Sequence, residues 1–175
     1  LGTLGGGNHF IEAYKDGWLA VHSGSRNIGY KVAKYYQKLA EKRIKEYNAM
    51  LTKEKLQTIE PTQRESWLKT NRVTINKDLS YLVGQDMADY LHDVSVMQRF
   101  ANDNRAKMLS EITSAMGGVI LEHINSIHNY IDTENMILRK GAISAQEGET
   151  LVIPLNMRDG LLLCKGKGNV EWNCS

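Results

Sequence analysis

The chain has 175 residues and almost no cysteine: only Cys164 and Cys174, both near the end. They form neither a disulfide framework nor a paired Cys-x-x-Cys zinc site, so a reducing setting, the cytoplasm, is expected. No apolar run approaches the roughly 18 to 20 residues of a membrane span. The opening Leu1-Gly2-Thr3-Leu4-Gly5 has neither the basic stretch nor the apolar stretch of a signal peptide. No membrane partner is expected. The chain also lacks an initiator methionine, an internal repeat and a low-complexity linker. It is expected to be a fragment or a processed chain, with residues 1–175 forming a single domain, the central part of a longer one. What it does have is a 42% share of hydrophobic residues, enough for a core and too much for a disordered tail.

Charge is unevenly spread beneath a net value of +2. Residues 31–77 hold twelve Lys and Arg against five Glu and no Asp. Tyr35, Tyr36, Tyr47 and Trp67 lie in the same block. Basic residues interleaved with aromatics can grip a phosphate backbone and stack on bases. Charge alone equally fits a solvated amphipathic helix face, which is the commoner case.

Two short β-branched and aromatic segments, 8–14 and 18–22, flank Asp16-Gly17, the favoured pair for a type I′ hairpin turn. After the small-residue loop Ser23 to Gly29, apolar residues recur at helical spacing from Ile28 through Val32, Tyr36, Leu39, Ala40, Ile44 and Tyr47 to Leu51. Pro61-Thr62 opens a short helix expected to run to Arg72. A second long pattern begins near Leu82, includes Met87, Tyr90, Met97, Ala101, Met108 and Ile112, and stops at Gly117-Gly118. Four β-like pieces follow, at about 119–131, 136–143, 150–154 and 160–164. An N-terminal hairpin, long helices and then mainly antiparallel strands make an α+β class.

Three histidines fall at places where chemistry could sit. A two-residue turn at Asp16-Gly17 places Ile11 opposite His22 and makes His9 its diagonal neighbour on the same sheet face, with Cβ atoms about 7 to 8 Å apart. Imidazole is the commonest metal ligand near neutral pH, and His128 would be a third ligand arriving from the C-terminal strands. Spacing alone leaves a structural role open, since isolated strand histidines more often serve one. Gly5-Gly6-Gly7-Asn8 allows close backbone approach to a ligand, and Ser23-Gly24-Ser25-Arg26 offers hydroxyls, amides and a guanidinium before a helix start, a plausible anion site. No Gly-Lys-Ser/Thr follows the glycines, so this is not a P-loop.

The motifs Gly2-Thr3-Leu4-Gly5-Gly6-Gly7-Asn8-His9-Phe10-Ile11-Glu12 and Val21-His22-Ser23-Gly24-Ser25-Arg26-Asn27-Ile28-Gly29 come first. Phe100-Ala101 with Asn104-Arg105, Ile127-His128-Asn129 and Arg139-Lys140-Gly141-Ala142 follow in order. Together they resemble the RtcB family of RNA-splicing ligases from end to end of the chain. The resemblance implies an RNA ligase that joins a 2′,3′-cyclic phosphate or 3′-phosphate end to a 5′-hydroxyl end. It implies GTP and two manganese ions as cofactors, and a route through a guanylylated histidine and an RNA-GMP intermediate. By the same resemblance His9, His22 and His128 bind metal, Asn8, Phe10 and Glu12 help hold the guanine nucleotide, and Arg26 meets the RNA terminal phosphate.

Departures from the family pattern accompany the match. The family's further metal ligands, an Asp and a bridging Cys, would lie before Leu1. Its guanylylated histidine would follow Gly166-Lys167-Gly168-Asn169 and Trp172-Asn173, after Ser175. The chain by itself is therefore expected to be inactive. Pro154-Leu155-Asn156-Met157 stands where many members have Gly-Ser-Met after Ile-Pro, the mark of a divergent branch. Two other classes stay open: a non-catalytic RNA- or metal-binding module, and a metal-dependent phosphatase.

Overall fold

The computed structural model describes residues 1–71, 76–156 and 158–169. Its order is β1 (Phe10–Ala13), β2 (Leu19–His22), α1 (Arg26–Thr58), α2 (Arg64–Asn71), α3 (Gly84–Ala115), β3 (Asn129–Asp132), β4 (Ile137–Lys140), β5 (Thr150–Asn156) and β6 (Gly160–Lys165). The α+β class is the one expected, with the strands paired as three separate antiparallel hairpins, β1 with β2, β3 with β4 and β5 with β6. The chain gathers into two compact units, one of Leu1–Arg26 with Val94–Ser175 and one of Asn27–Asp93. No helix among the described residues is long and apolar enough to cross a membrane.

The first hairpin forms where expected, in a different register. His22 pairs with Phe10, and Ala13 with Leu19. The Tyr14 amide donates to the Trp18 carbonyl at 2.8 Å and the Gly17 amide to the Tyr14 carbonyl at 3.1 Å, closing a three-residue loop. Gly17, at φ +93°, takes the left-handed position such a loop needs. Asp-Gly serves both loop lengths, so the residues at the tip cannot choose between them. The shift of one residue turns Phe10 and Glu12 to the His22 side of the sheet, and Ile11 is exposed.

Helix α3 ends close to the limit read from periodicity, while α1 runs to Thr58, about two turns beyond Leu51. Gly117 and Gly118 cap α3, with the Gly118 amide donating to the Thr113 carbonyl at 2.9 Å. The expected end of α2 at Arg72 lies outside the described residues, as do Met157 and Trp172-Asn173. Of the α1 stripe only Tyr36 and Ala40 are buried, while Ile28 and Tyr47 are exposed; the Leu51 side chain lies outside the described residues. The strand expected from 119 does not begin there: 119–127 has no ladder, and pairing starts at Asn129. Apolar, β-branched stretches favour a strand only when a partner supplies the hydrogen bonds, and among the described residues none reaches Val119, Ile120 or Leu121, which are exposed.

In the second unit α1 meets α3 antiparallel. The Tyr36 hydroxyl donates to Asp93 at 2.8 Å, and its ring centroid is 5.1 Å from that of Tyr90. Burial and the Asp93 carboxylate push this hydroxyl up to about 12, so it remains a donor at any ordinary pH. About two turns along, Arg43 grips Asp86 through Nε at 2.5 Å and Nη2 at 3.1 Å. These hydrogen bonds hold the Asp86 carboxyl below its usual range. The sign follows from linkage: the contribution is present above the ordinary carboxylate pKa of about 4 and lost as pH falls through the lowered folded value. Chemical denaturation across pH should thus show Arg43→Ala weakening the protein near neutrality, with the difference vanishing in acid. A difference undiminished at about pH 2 would mean that Arg43 acts by packing alone.

Candidate active site

Three elements of the first unit each end or begin on a histidine. His22 closes β2, His9 precedes β1, and His128 precedes β3. The His22 ring lies between the other two, with centroids 5.9 Å from His9 and 5.1 Å from His128, edge to face in both pairs. Phe10, opposite His22 in the ladder, sets its ring 5.1 Å from the imidazole. The altered register leaves His9 off the His22 strand face, and the glycine turn brings it back. The His9 Nδ1 is 2.7 Å from the Gly6 carbonyl oxygen. A carbonyl only accepts, so Nδ1 carries the proton and Nε2 is the nitrogen left for a ligand.

The surroundings of His22 and His128 favour their neutral form. Burial lowers the His22 pKa, and His128, His9 and Arg105 lower it further. Burial also lowers that of His128, assisted by Lys140 and Arg105. Neutral imidazoles are the ligand form of histidine, and a ring that donates its second N–H to a carbonyl is the usual arrangement around a metal. Three such rings fit a first-row transition ion in donor chemistry. As the side chains stand, no group of three or more His, Cys, Asp and Glu among the described residues is arranged to hold an ion.

The scaffold beneath the histidines is made by two neighbours on α3. Asn104 is fully buried. Its Oδ1 accepts from the Thr3 amide at 3.0 Å, and its Nδ2 donates to the Thr3 carbonyl at 2.9 Å and to Ser23 Oγ at 3.2 Å. Ser23 in turn donates to the Leu4 carbonyl at 2.7 Å. Arg105 donates through Nη1 to the Ser23 carbonyl at 3.1 Å and through Nη2 to Asn125 Oδ1 at 2.7 Å. It thus straps the residue after His22 to the segment leading into His128. Sequence reasoning assigned these two no role. The available signal was Asn104 itself, a polar residue on the apolar stripe of α3 between Ala101 and Met108.

Arg26 opens α1 with φ at +59°, in the left-handed region that a residue with a Cβ adopts at a penalty of about 1 to 2 kcal/mol. Its guanidinium lies against Gly5, where a Cβ would overlap it, so glycine at that position makes the approach possible. The buried Arg26 Nε has no hydrogen-bond partner among the described residues. Of the other residues expected at the site, Glu12 accepts the Tyr14 hydroxyl on the Phe10 side of β1, and Asn8 stands exposed in the turn before it. The structure brings the three histidines, Phe10 and Arg105 into one neighbourhood.

The family described as tRNA-splicing ligase RtcB matches residues 1–175, the whole chain. Among curated relatives, the RNA-splicing ligase RtcB of Escherichia coli K12 is 32% identical over 198 aligned positions. The RNA-splicing ligase RtcB1 of another Escherichia coli strain is 33% identical over the same span. In each alignment all of this chain is covered, and it spans 43% of the relative's length. No solved structure matches the chain significantly.

Proposed function

The chain belongs to the RtcB family of tRNA-splicing ligases, and from that premise we propose that it supplies the histidine ligands and the terminal-phosphate contact of an RNA ligase. The reaction is the joining of a 2′,3′-cyclic phosphate or 3′-phosphate RNA end to a 5′-hydroxyl end, with GTP. The observation that carries this reading is the His9, His22 and His128 neighbourhood beside Arg105 and Lys140. Neutral nitrogen ligands next to fixed positive charge suit a divalent ion that works together with phosphate. A manganese pair bound there would supply Lewis-acid polarisation of phosphate oxygens. Manganese also favours oxygen donors, which phosphates bring.

The chain's own residues divide the remaining tasks. His9, His22 and His128 hold metal, Asn8, Phe10 and Glu12 form part of the guanine pocket, and Arg26 with its unpaired Nε receives the terminal phosphate. The histidine that takes GMP is assigned to none of His9, His22, His92, His123 or His128. Arg105 and Asn104 position the ligands rather than touch the substrate.

The test is binding of the full chain to two RNAs alike except at the 3′ end. Arg26→Ala should weaken binding of the 3′-phosphate RNA by about ten- to a hundredfold, the range of a charge-assisted hydrogen bond. Binding of the 3′-hydroxyl RNA should scarcely change. Equal weakening of both would remove Arg26 from terminal-phosphate recognition.

A further inference from the structure

The outer face of α1 is sorted by chemistry in a way that the metal site does not explain. At 100° per residue, Tyr30, Lys31, Lys34, Tyr35, Lys38 and Lys45 fall within an arc of about 140°. All six are exposed. Tyr36 and Ala40, which are buried, lie on the opposite side of the helix. That inner side meets α3 through Tyr36 with Asp93 and Arg43 with Asp86. The lysine face is therefore the one α3 leaves uncovered.

Two features separate this face from an ordinary solvated one. From Arg26 to Lys45 the helix carries seven Lys and Arg against the single acid Glu41, which is paired with Lys77 at 3.7 Å. From Glu46 to Thr58 the charges balance, as the alternating surface of a solvated helix does. Tyr30 and Tyr35 are 63% and 61% exposed, large rings held in water among the lysines. The Lys34 ammonium sits 5.6 Å from the Tyr30 ring centroid, which holds that ring beside a positive charge. Exposed rings flanked by lysines match what an unpaired nucleic acid offers, π-faces alternating with phosphates. From Tyr30 to Lys45 the face runs about 22 Å, room for several nucleotides of an extended strand.

We propose that this face of α1 binds a single-stranded stretch of RNA, Tyr30 and Tyr35 stacking on bases and the lysines contacting phosphates, without regard to the group that ends the strand. The proposal rests on the RNA-ligase reading and adds a second contact to it, in the unit that does not hold the histidines. It gives the chain a hold on the body of the RNA separate from the hold on its end.

The experiment measures binding of the full chain to 3′-phosphate and 3′-hydroxyl single-stranded RNA over a salt series. Lys31, Lys38 and Lys45 replaced together by Gln should reduce the slope of log affinity against log salt by about two, since each single-strand phosphate contact contributes about 0.7. The preference for a 3′-phosphate should survive. Tyr30→Leu with Tyr35→Leu should weaken both RNAs about tenfold and leave the slope unchanged, the mark of lost stacking. In the unaltered chain, bound RNA should shield Lys31, Lys34 and Lys38 from acetylation, a readout that needs no variant to fold. An unchanged slope, or unshielded lysines, overturns the proposal. If the lysine variant instead loses only attachment to phosphatidylserine vesicles, the face belongs to a membrane surface and the RNA proposal falls. Loss of the 3′-phosphate preference in the unaltered chain would count against the ligase reading alone, because the slope and the shielding do not depend on the terminus.

Discussion

Asn104→Ala is expected to destabilise the first unit more than any other single substitution on α3. The amide side chain meets both the N–H and the carbonyl of Thr3, and Ser23 Oγ besides. Truncation leaves the Thr3 amide without its acceptor, while the Thr3 carbonyl keeps the Ser23 hydroxyl at 3.2 Å. An orphan of this kind costs about 1 to 3 kcal/mol, a sizeable part of a typical domain's stability. The thermal midpoint should fall by about 5 °C. Asn104→Asp, nearly isosteric, should be no better near neutrality, because it keeps the acceptor for the Thr3 amide but replaces the donor to the Thr3 carbonyl with a buried charge. Burial would raise that carboxyl's folded pKa, so the Asp variant should recover stability as pH falls toward the ordinary carboxylate range, and the Ala variant should not. Thermal melts of both variants across pH would decide it. A change of less than about 1 kcal/mol in either would show that Thr3 finds water or another partner.

His22→Ala should abolish manganese binding, with a loss of about a hundredfold or more, beyond the ten- to hundredfold typical of residues that merely support a ligand. His9→Ala and His128→Ala should each cost less, because His22 is the ring that neighbours both of the others. Titration calorimetry on the full chain gives the affinities directly. Equal losses from all three would mean that no central ligand exists, and no loss from any would remove the histidines from the metal site. The pH response has a definite sign. His22 and His128 have lowered pKa values, chiefly through burial. Protonation therefore opposes the folded state: their contribution to stability is present above about 6.5 and lost as pH falls through the lowered folded values. Metal affinity should fall in the same direction, since ligands must be neutral to bind.

Local pattern determined a large part of this protein. Apolar residues at helical spacing placed α1 and α3, because one face of a helix must find a core wherever that core lies. Gly117-Gly118 stopped α3 through backbone freedom that belongs to glycine itself. Asp16-Gly17 marked a turn, and the motifs around His9, His22 and His128 carried the family, since side-chain identity is what those sites are made of. Tertiary structure decided what depends on partners distant in the chain. The hairpin register followed from a three-residue loop that Asp-Gly permits without requiring. Residues 119–127 remained outside any sheet because no described strand forms a backbone ladder with them; β5 meets the segment through the Val152 amide, which donates to Ser126 Oγ. His9 reached His22 through a bond to the Gly6 carbonyl rather than through strand alternation. Asn104 became the clamp of the first unit, and Arg105 the strap between two histidine segments, because folding brought Thr3, Ser23 and Asn125 to α3 from 101, 82 and 20 residues away. A hydrogen bond forms between groups that meet in space, and a linear pattern records only which groups are available.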